Sequence, residues 1–404
     1  MAVPRFEPFA GLRYSPSHIR SLDDVVCPPY DVISETQRQA LEARSPSNIV
    51  RLELPHEDGP SGSGDRYERA RDLLDAWRDG GILHRDPAPC FYGYRMSYTD
   101  PAGRPASTLG VIGALGLEPP GEGILPHEET TPKAKTDRLD LIRATRANLS
   151  PIWGLSPGTG LSSHIVAPSH PVERTTDEDG IAHELWPISD PDSVAAIRAA
   201  VESQPVLIAD GHHRFETALN YRAERTSAGT AGTDDEAVMA LVVELTDTQL
   251  TVQAIHRLLV GLPADFDLPG ALSRWFDVTP TGPVDRTILE RMDDAEALAV
   301  LTGDGVWLAR PRQAVAEAAT HDLDSSRLDV ARAELPSHQV VYQHGWDNCA
   351  AAVAGRTATA AVLLRPATVR QIAAISRGGV RMPPKTTFFW PKPRTGMVVR
   401  ELLT

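Results

Sequence analysis

The spacing of apolar residues in the first part of the chain predicts alternating strands and helices. Apolar and polar residues alternate over residues 89–100, and residues 107–118 form a second apolar run, so both segments are predicted to be strands. The segment 48–54, NIVRLEL, is also predicted to be a strand. Helices are predicted over residues 34–44 and over 66–81, where two glycines close the pattern.

The same reading continues to the end of the chain. Residues 136–150 place apolar side chains at helical spacing with charges between them, which predicts an amphipathic helix. Residues 188–204 begin with an Asp-Pro cap and predict a helix that leads into the strand PVLIA at 205–209. A strand is predicted within 357–366, followed by a helix.

Interleaved strands and helices of this kind predict an α/β (α+β) protein, and its length allows two or three domains. We expect an N-terminal α/β lobe over 1–115, a core over 116–260 and a C-terminal α/β region over 261–404.

Composition narrows the classes of function. The 404 residues are 41% hydrophobic and carry a net charge of −14, which disfavours binding to nucleic acid or to an anionic membrane. Cys27, Cys90 and Cys349 are far apart and show no zinc-ligand spacing. No apolar run approaches the length of a membrane span. These features predict a cytoplasmic protein that binds neither nucleic acid nor a membrane.

The densest cluster of ionisable residues is Asp-Gly-His-His-Arg, at 210–214, between the strand PVLIA and a predicted helix. Free N–H groups and the dipole make a helix N-terminus an anion site. His212, His213 and Arg214 add donors for phosphate oxygens. A carboxylate at Asp210 conflicts with an anion unless it caps the helix or holds a magnesium ion carried by a nucleotide. The alternative is an ordinary helix cap beside surface or core histidines.

A second cluster lies in ILPHEETTPKAKTDR, where His127 and Glu128 precede Lys133 and Arg138. Glu128 is a candidate general base for a substrate hydroxyl, while the basic side chains neutralise phosphate charge. Judged by spacing alone, a solvated loop that opens an amphipathic helix is the favoured interpretation. Pro-His-Glu also recurs at residues 55–57, which we interpret as a chance copy.

A third cluster is MPPKTTFFW near the C-terminus, where prolines stiffen the loop around Lys385, Thr386 and Thr387. A lysine and two hydroxyl groups suit a small anionic or zwitterionic ligand.

In their order along the chain, the three clusters resemble the free serine kinases of archaea, of the ParB/sulfiredoxin-like superfamily. The whole chain also resembles a longer bacterial family catalogued as domain of unknown function 1015, through CPPYDVI, HEET, ADGHHRFETAL and MPPKTTFFWPK. The resemblance implies a ParB/sulfiredoxin-like nucleotide-binding core over 116–260 and a C-terminal region over 261–404 that completes the substrate site. It also implies phosphoryl transfer from ATP or ADP, with Mg²⁺, to free L-serine or a related hydroxylated metabolite.

The resemblance also implies roles for individual residues. Glu128 is then the general base, and Asp210 is an essential residue near the metal ion and the phosphates. Gly211, His212, His213 and Arg214 surround the phosphates together with Lys133 and Arg138, whereas His127, Lys385, Thr386 and Thr387 lie near the acceptor. The chain departs from the kinases by an N-terminal extension and by Phe-Phe-Trp after the threonines. The rival interpretation is a ParB-type nucleotide-binding switch or NTPase that controls a partner protein.

Overall fold

A computed structural model describes residues 3–56, 65–100, 103–118, 122–126, 133–169, 172–263, 265–377, 382–383 and 385–403. The strands in chain order are β1 (Phe6–Glu7), β2 (Leu12–Tyr14), β3 (Leu83–Arg85), β4 (Phe91–Thr99), β5 (Pro105–Gly116), β6 (Ile124–Pro126), β7 (Ala147–Asn148), β8 (Ile152–Ser156), β9 (Glu173–Thr176), β10 (Ala182–Ile188), β11 (Val206–Asp210), β12 (Ala237–Glu244), β13 (Thr251–Ala254), β14 (His256–Val260), β15 (Phe276–Pro280), β16 (Leu298–Thr302), β17 (Gly305–Pro311), β18 (Gln339–Gln343), β19 (Ala360–Leu363), β20 (Thr387–Trp390) and β21 (Arg400–Glu401).

The α-helices are α1 (Glu35–Arg44), α2 (Val50–Glu53), α3 (Arg66–Asp79), α4 (Lys133–Thr145), α5 (Leu161–His164), α6 (Pro191–Val201), α7 (His212–Ser227), α8 (Leu268–Leu272), α9 (Ile288–Asp294), α10 (Gln313–Ala318), α11 (Asp324–Arg332), α12 (Trp346–Ala354) and α13 (Val369–Arg377). Interleaved helices and strands confirm the mixed α/β class.

The chain forms two compact units, one of residues 1–251 with 391–404 and one of residues 252–390. The first unit is built on a nine-stranded mixed sheet in the order β6-β11-β8-β12-β5-β4-β10-β9, with β1 paired to β5. Strand β11 runs parallel to β6 and antiparallel to β8, and a register shift separates Ile208 from Asp210. This irregularity lies at the end of β11, where the Asp-Gly-His-His-Arg segment begins.

This division differs from the three predicted regions. The predicted boundary at 115 falls inside β5, which pairs with β4 on one side and with β12 on the other. Residues before 115 therefore share one sheet with residues after it. The boundary at 260 falls at the end of β14, which pairs with β19 in the second unit. Hydrogen-bonded strand pairing across large sequence separations, which spacing does not reveal, sets the real division.

The segment 48–54 is the clearest local error of the sequence reading, because it contains the short helix α2 and no strand. The Asn48 side chain accepts from the Val50 N–H at 3.0 Å and donates to the Asp24 carbonyl at 2.8 Å, so it fixes the helical start. Both Val50 and Leu52 are buried. A run this short fits a strand or a buried helical turn equally well, and the tertiary contacts decide between them.

The second unit contains a six-stranded antiparallel sheet in the order β15-β17-β16-β19-β14-β18. Alternate residues of β16 and β19 enter two different apolar clusters: Val300 and Val362 lie in one, Leu301 and Ala361 in the other. Because side chains alternate across a strand, these clusters cover the two faces of the sheet. In the part of the chain that the structure describes, no helix is long and apolar enough to cross a bilayer.

Candidate functional site

The Asp-Gly-His-His-Arg segment forms the predicted strand-to-helix corner of the first unit. Asp210 ends β11, Gly211 is the N-cap of α7, and His212 is the first helical residue. Gly211 has φ +85°, and an added Cβ would lie 3.1 Å from both the Arg214 guanidinium and the Ile152 side chain. Glycine therefore suits this position for its backbone and for its lack of a side chain. A glycine cap also leaves the N–H groups of the first turn to other acceptors.

Two cations hold the Asp210 carboxylate. Lys392 Nζ lies 2.5 Å from one carboxylate oxygen, and Arg214 Nη2 lies 3.2 Å from the other. The Asp210 side chain is 18% exposed. Burial alone would raise the pKa of Asp210, but Lys392 and Arg214 outweigh it and lower the pKa to about 2. The carboxylate is therefore ionised at neutral pH and positions two positive charges at the start of α7.

Lys392 was not among the residues predicted from sequence, although a signal for it exists. The chain has four lysines, Lys133, Lys135, Lys385 and Lys392, among its forty basic residues. The remaining thirty-six are arginines. Arginine occupies almost every other basic position of the chain. The few lysines therefore indicate positions where a compact ammonium ion is preferred over a planar guanidinium. Lys392 lies 182 positions from Asp210, so spacing alone did not connect them.

Arg214 makes contacts within the protein in addition to the phosphate contact predicted for it. Its Nη1 donates to the Pro151 carbonyl just before β8, while its Nη2 binds Asp210. The guanidinium therefore ties the corner to the neighbouring strand. His212 is buried, and His213 is partly exposed one residue further into the helix.

Arg138, predicted as a phosphate ligand, lies close to Arg214. It donates to the Glu53 backbone carbonyl at 2.8 Å, and its guanidinium lies 4.5 Å from the centre of the Tyr30 ring. Arg138, Glu53 and Arg214 line one small cavity of about 50 Å³. Burial raises the pKa of the Glu53 carboxyl, although Arg138 and Arg214 partly oppose it. Residues from the N-terminal part of the chain thus meet two of the predicted basic residues.

Part of the second cluster falls outside the residues that the structure describes. His127 and Glu128 both lie there, so the proposed general base stays a prediction. Lys133 begins α4, and only its backbone is described.

The third cluster belongs to the second unit. Lys385 is exposed and has φ +58°, an uncommon backbone conformation for a residue with a side chain. The Thr386 hydroxyl donates to the Pro383 carbonyl at 2.7 Å, and Thr387 begins β20. Thr386 also lines a cavity of about 150 Å³ together with Asp324 and Arg365. The predicted convergence of this cluster with Asp210 stays a prediction.

The side chains around Asp210 do not fit a magnesium site made by the protein. Within the described residues, no group of three or more His, Cys, Asp or Glu side chains is arranged to hold a metal ion. Both Asp210 oxygens bind cationic side chains, which compete with a divalent cation. The expected role of Asp210 toward a magnesium ion carried by a nucleotide stays a prediction. The chemistry that this corner supports is the binding of an anion between two fixed cations and a helix N-terminus.

Comparison with known proteins supports the family resemblance. The family described as "Protein of unknown function (DUF1015)" matches residues 6–331. No curated protein matches the chain.

Several solved structures share partial similarity with the chain. They include a conserved hypothetical protein from Pyrococcus furiosus, which is 14% identical with a TM-score of 0.36 over 72% of this chain and 95% of that one. A free serine kinase in complex with AMP is 14% identical with a TM-score of 0.36, over 72% and 92%. SbnI from Staphylococcus aureus, truncated at its C-terminus, is 12% identical with a TM-score of 0.39, over 72% and 87%.

Proposed function

We propose that this chain, which belongs to the DUF1015 family of proteins of unknown function, is a small-molecule kinase. It transfers a phosphoryl group from ATP or ADP to the hydroxyl of free L-serine or a related hydroxylated metabolite. The order of its three motifs, which resembles that of the archaeal free serine kinases, supports this activity.

The observation that carries the proposal is the pair of cations fixed on Asp210 at the start of α7. Phosphoryl transfer needs little covalent chemistry from a protein, and depends mainly on positioning and on neutralising the phosphate charge. Lys392 and Arg214 are already oriented by the Asp210 carboxylate, so little reorganisation accompanies nucleotide binding. The N–H groups of the 16-residue helix α7 supply further donors for the same phosphates.

The remaining roles follow the predicted assignments. Glu128 accepts the proton of the acceptor hydroxyl as the attack on the terminal phosphorus begins. His212, His213, Lys133 and Arg138 contribute to the phosphate site. His127, Lys385, Thr386 and Thr387 bind the acceptor. Asp210 is a positioning residue, since it acts through Lys392 and Arg214.

The decisive experiment measures product formation and nucleotide binding with the same protein. The chain is incubated with ATP or ADP, magnesium and a panel of hydroxy amino acids, and phosphorylated products are identified by mass spectrometry. Lys392→Gln is expected to lower turnover by about 10²–10³-fold, because it removes one fixed charge from the transferring phosphoryl group. Arg143→Gln is the control, since Arg143 pairs with Asp140 and Glu224 on an exposed part of α4.

Two results contradict the kinase proposal. Product formation by Lys392→Gln at the rate of the unchanged protein removes the corner from the mechanism. Nucleotide binding or slow hydrolysis, without a phosphorylated metabolite from any acceptor, favours the nucleotide-binding switch instead.

A further inference from the structure

Lys392 lies in a part of the chain that has little regular structure of its own. It follows β20 and precedes β21, and the residues around it form neither a helix nor a paired strand. Its Nζ nevertheless lies 2.5 Å from Asp210, and its side chain is only 12% exposed. A lysine stem is flexible, so the place of its backbone decides where the ammonium ion lies. Contacts with other elements of the first unit must therefore hold this segment in position.

Two elements of the first unit hold the backbone of the segment. The Cys27 N–H donates to the Thr395 carbonyl at 3.2 Å, and the Thr395 N–H donates to the Cys27 carbonyl at 2.8 Å. The motif CPPYDVI, which had no role in the predicted site, thus contacts the segment through its first residue. One residue before this bridge, the Arg394 N–H donates to Tyr94 Oη at 3.0 Å. Tyr94 therefore fixes the backbone two residues after Lys392.

The Tyr94 hydroxyl is itself oriented by a buried histidine. Its Oη lies 2.9 Å from His183 Nδ1, and His183 Nε2 lies 3.2 Å from the Asp177 carboxylate. Burial lowers the pKa of His183 more than Asp177 raises it, so the imidazole is neutral at neutral pH. A carboxylate only accepts, which assigns the single imidazole proton to Nε2. The Tyr94 O–H then donates to Nδ1, while its oxygen accepts from the Arg394 amide.

These polar groups lie in the interior of the first unit, on the paired strands β4 and β10. His183 on β10 is fully buried, and Tyr94 on β4 is 1% exposed. The Asp177 carboxylate also accepts from the Ile181 N–H at 2.9 Å, so the turn between β9 and β10 holds it in place. Burying polar groups costs free energy unless each is hydrogen-bonded. Here each hydrogen bond leads to the next, and the series ends at the Arg394 amide.

We propose that Tyr94 is a positioning residue that places Lys392 beside Asp210. Its hydroxyl, oriented by the buried histidine and aspartate, fixes the backbone amide of Arg394. Phenylalanine at this position would leave that buried amide without its acceptor, so the segment would move to find another. A displacement of about 1 Å in a site is enough to slow a reaction substantially. The inference rests on the proposed function only for its effect on nucleotide binding and turnover.

The first test measures how fast acetic anhydride acylates each lysine of the full chain, read by peptide mass spectrometry. The chain has four lysines, so Lys133, Lys135 and Lys385 serve as internal references. Tyr94→Phe should raise the acylation rate of Lys392 about tenfold, because it removes a buried hydrogen bond that keeps the ammonium ion paired. The rates at the other three lysines should stay unchanged.

Tyr98→Phe is the matched control on the same face of β4. Tyr98 is also buried, and its hydroxyl bonds to Thr108 at 3.2 Å and to Thr251 at 2.9 Å, neither of which lies in the segment that carries Lys392. This control should leave the rate at Lys392 as it is in the unchanged protein. An unchanged rate in Tyr94→Phe, or an equal rise in the two variants, overturns the proposal.

Two histidine variants give the same test without changing Tyr94. His183→Leu removes the acceptor of the Tyr94 hydroxyl and should raise the rate at Lys392 in the same way. His183→Gln can accept from that hydroxyl and donate to Asp177, so it should restore most of the protection. Equal rates in these two variants overturn the proposal.

Nucleotide binding then tests the consequence for the proposed kinase. In calorimetry with ADP and magnesium, Tyr94→Phe should weaken binding about tenfold in the otherwise unchanged protein. It should have no further effect in Lys392→Gln, because it acts through the lysine. Equal weakening in both backgrounds overturns the proposal. If the unchanged protein binds no nucleotide, the proposed function fails, and the acylation rates still decide the role of Tyr94.

Discussion

Replacing Asp210 by asparagine removes the charge that holds two cations at the end of β11. Its pKa lies at about 2 in the folded protein against an ordinary value of 3.8. The difference corresponds to about 2 kcal/mol of folding free energy at neutral pH. Asparagine also leaves Lys392 and Arg214 beside each other without a counter-charge, and losing one partner of a buried ion pair costs about 3–5 kcal/mol. We therefore expect Asp210→Asn to lower the free energy of unfolding by roughly 2–4 kcal/mol at pH 7.

The pH dependence gives the sharper measurement. A lowered folded-state pKa contributes stability that is fully present above the unfolded pKa, near 4, and is lost as the pH falls towards 2. The stability difference between the unchanged protein and Asp210→Asn should be constant from pH 7 to 5 and shrink from pH 4 downwards. Urea unfolding followed by tryptophan fluorescence measures it, and Trp153 pairs with Asp210 across the sheet. The exposed Asp247→Asn is the control. Equal stability at pH 7, or a difference that does not change between pH 5 and 3, would refute the reasoning.

The remaining predictions concern the proposed reaction and the corner itself. Glu128→Gln should lower turnover by about 10²–10⁴-fold while nucleotide binding persists, since it removes a general base. The control is Glu122→Gln at an exposed position, which should retain activity. Equal turnover of the two variants would exclude Glu128 from the mechanism. His213→Ala should weaken nucleotide binding about tenfold by calorimetry, whereas Lys385→Ala should mainly raise the acceptor KM, and a single shared defect would contradict the division of roles. Gly211→Ala should lower the free energy of unfolding in urea by about 1–2 kcal/mol, because the residue has φ +85°; an unchanged value contradicts the strain.

The sequence determined those features whose cause is local. Ser34 and Gln37 form the capping box that starts α1, where the sequence places a helix. Asp190 and Pro191 start α6 in the same way. The apolar run before Asp210 and the glycine after it predicted a strand, a turn and a helix, and the structure confirms all three. The DUF1015 motifs identified the family correctly, whereas membership of the ParB/sulfiredoxin-like superfamily stays a prediction.

The candidate site was predictable only in part. The corner residues are consecutive, so their proximity follows from the chain itself. The partners of the site residues are distant in the chain: Lys392 reaches Asp210 across 182 positions, and Arg138 donates to the Glu53 backbone carbonyl across 85. The scarcity of lysine could have drawn attention to Lys392, but no periodic pattern connects it to β11.

The tertiary structure alone decided which strands pair and which residues those pairings bring together. The order β11-β8-β12-β5-β4 joins residues from both sides of position 115 in one sheet, and the structure accordingly divides the chain at 251 and 390. Tertiary contacts also decided the secondary structure of residues 48–54, since the Asn48 side chain and the burial of Val50 favour a helical turn there. Local periodicity reports which face of an element is apolar. It carries no information about which other element covers that face, because that choice depends on hydrogen bonds and packing between residues far apart in the chain.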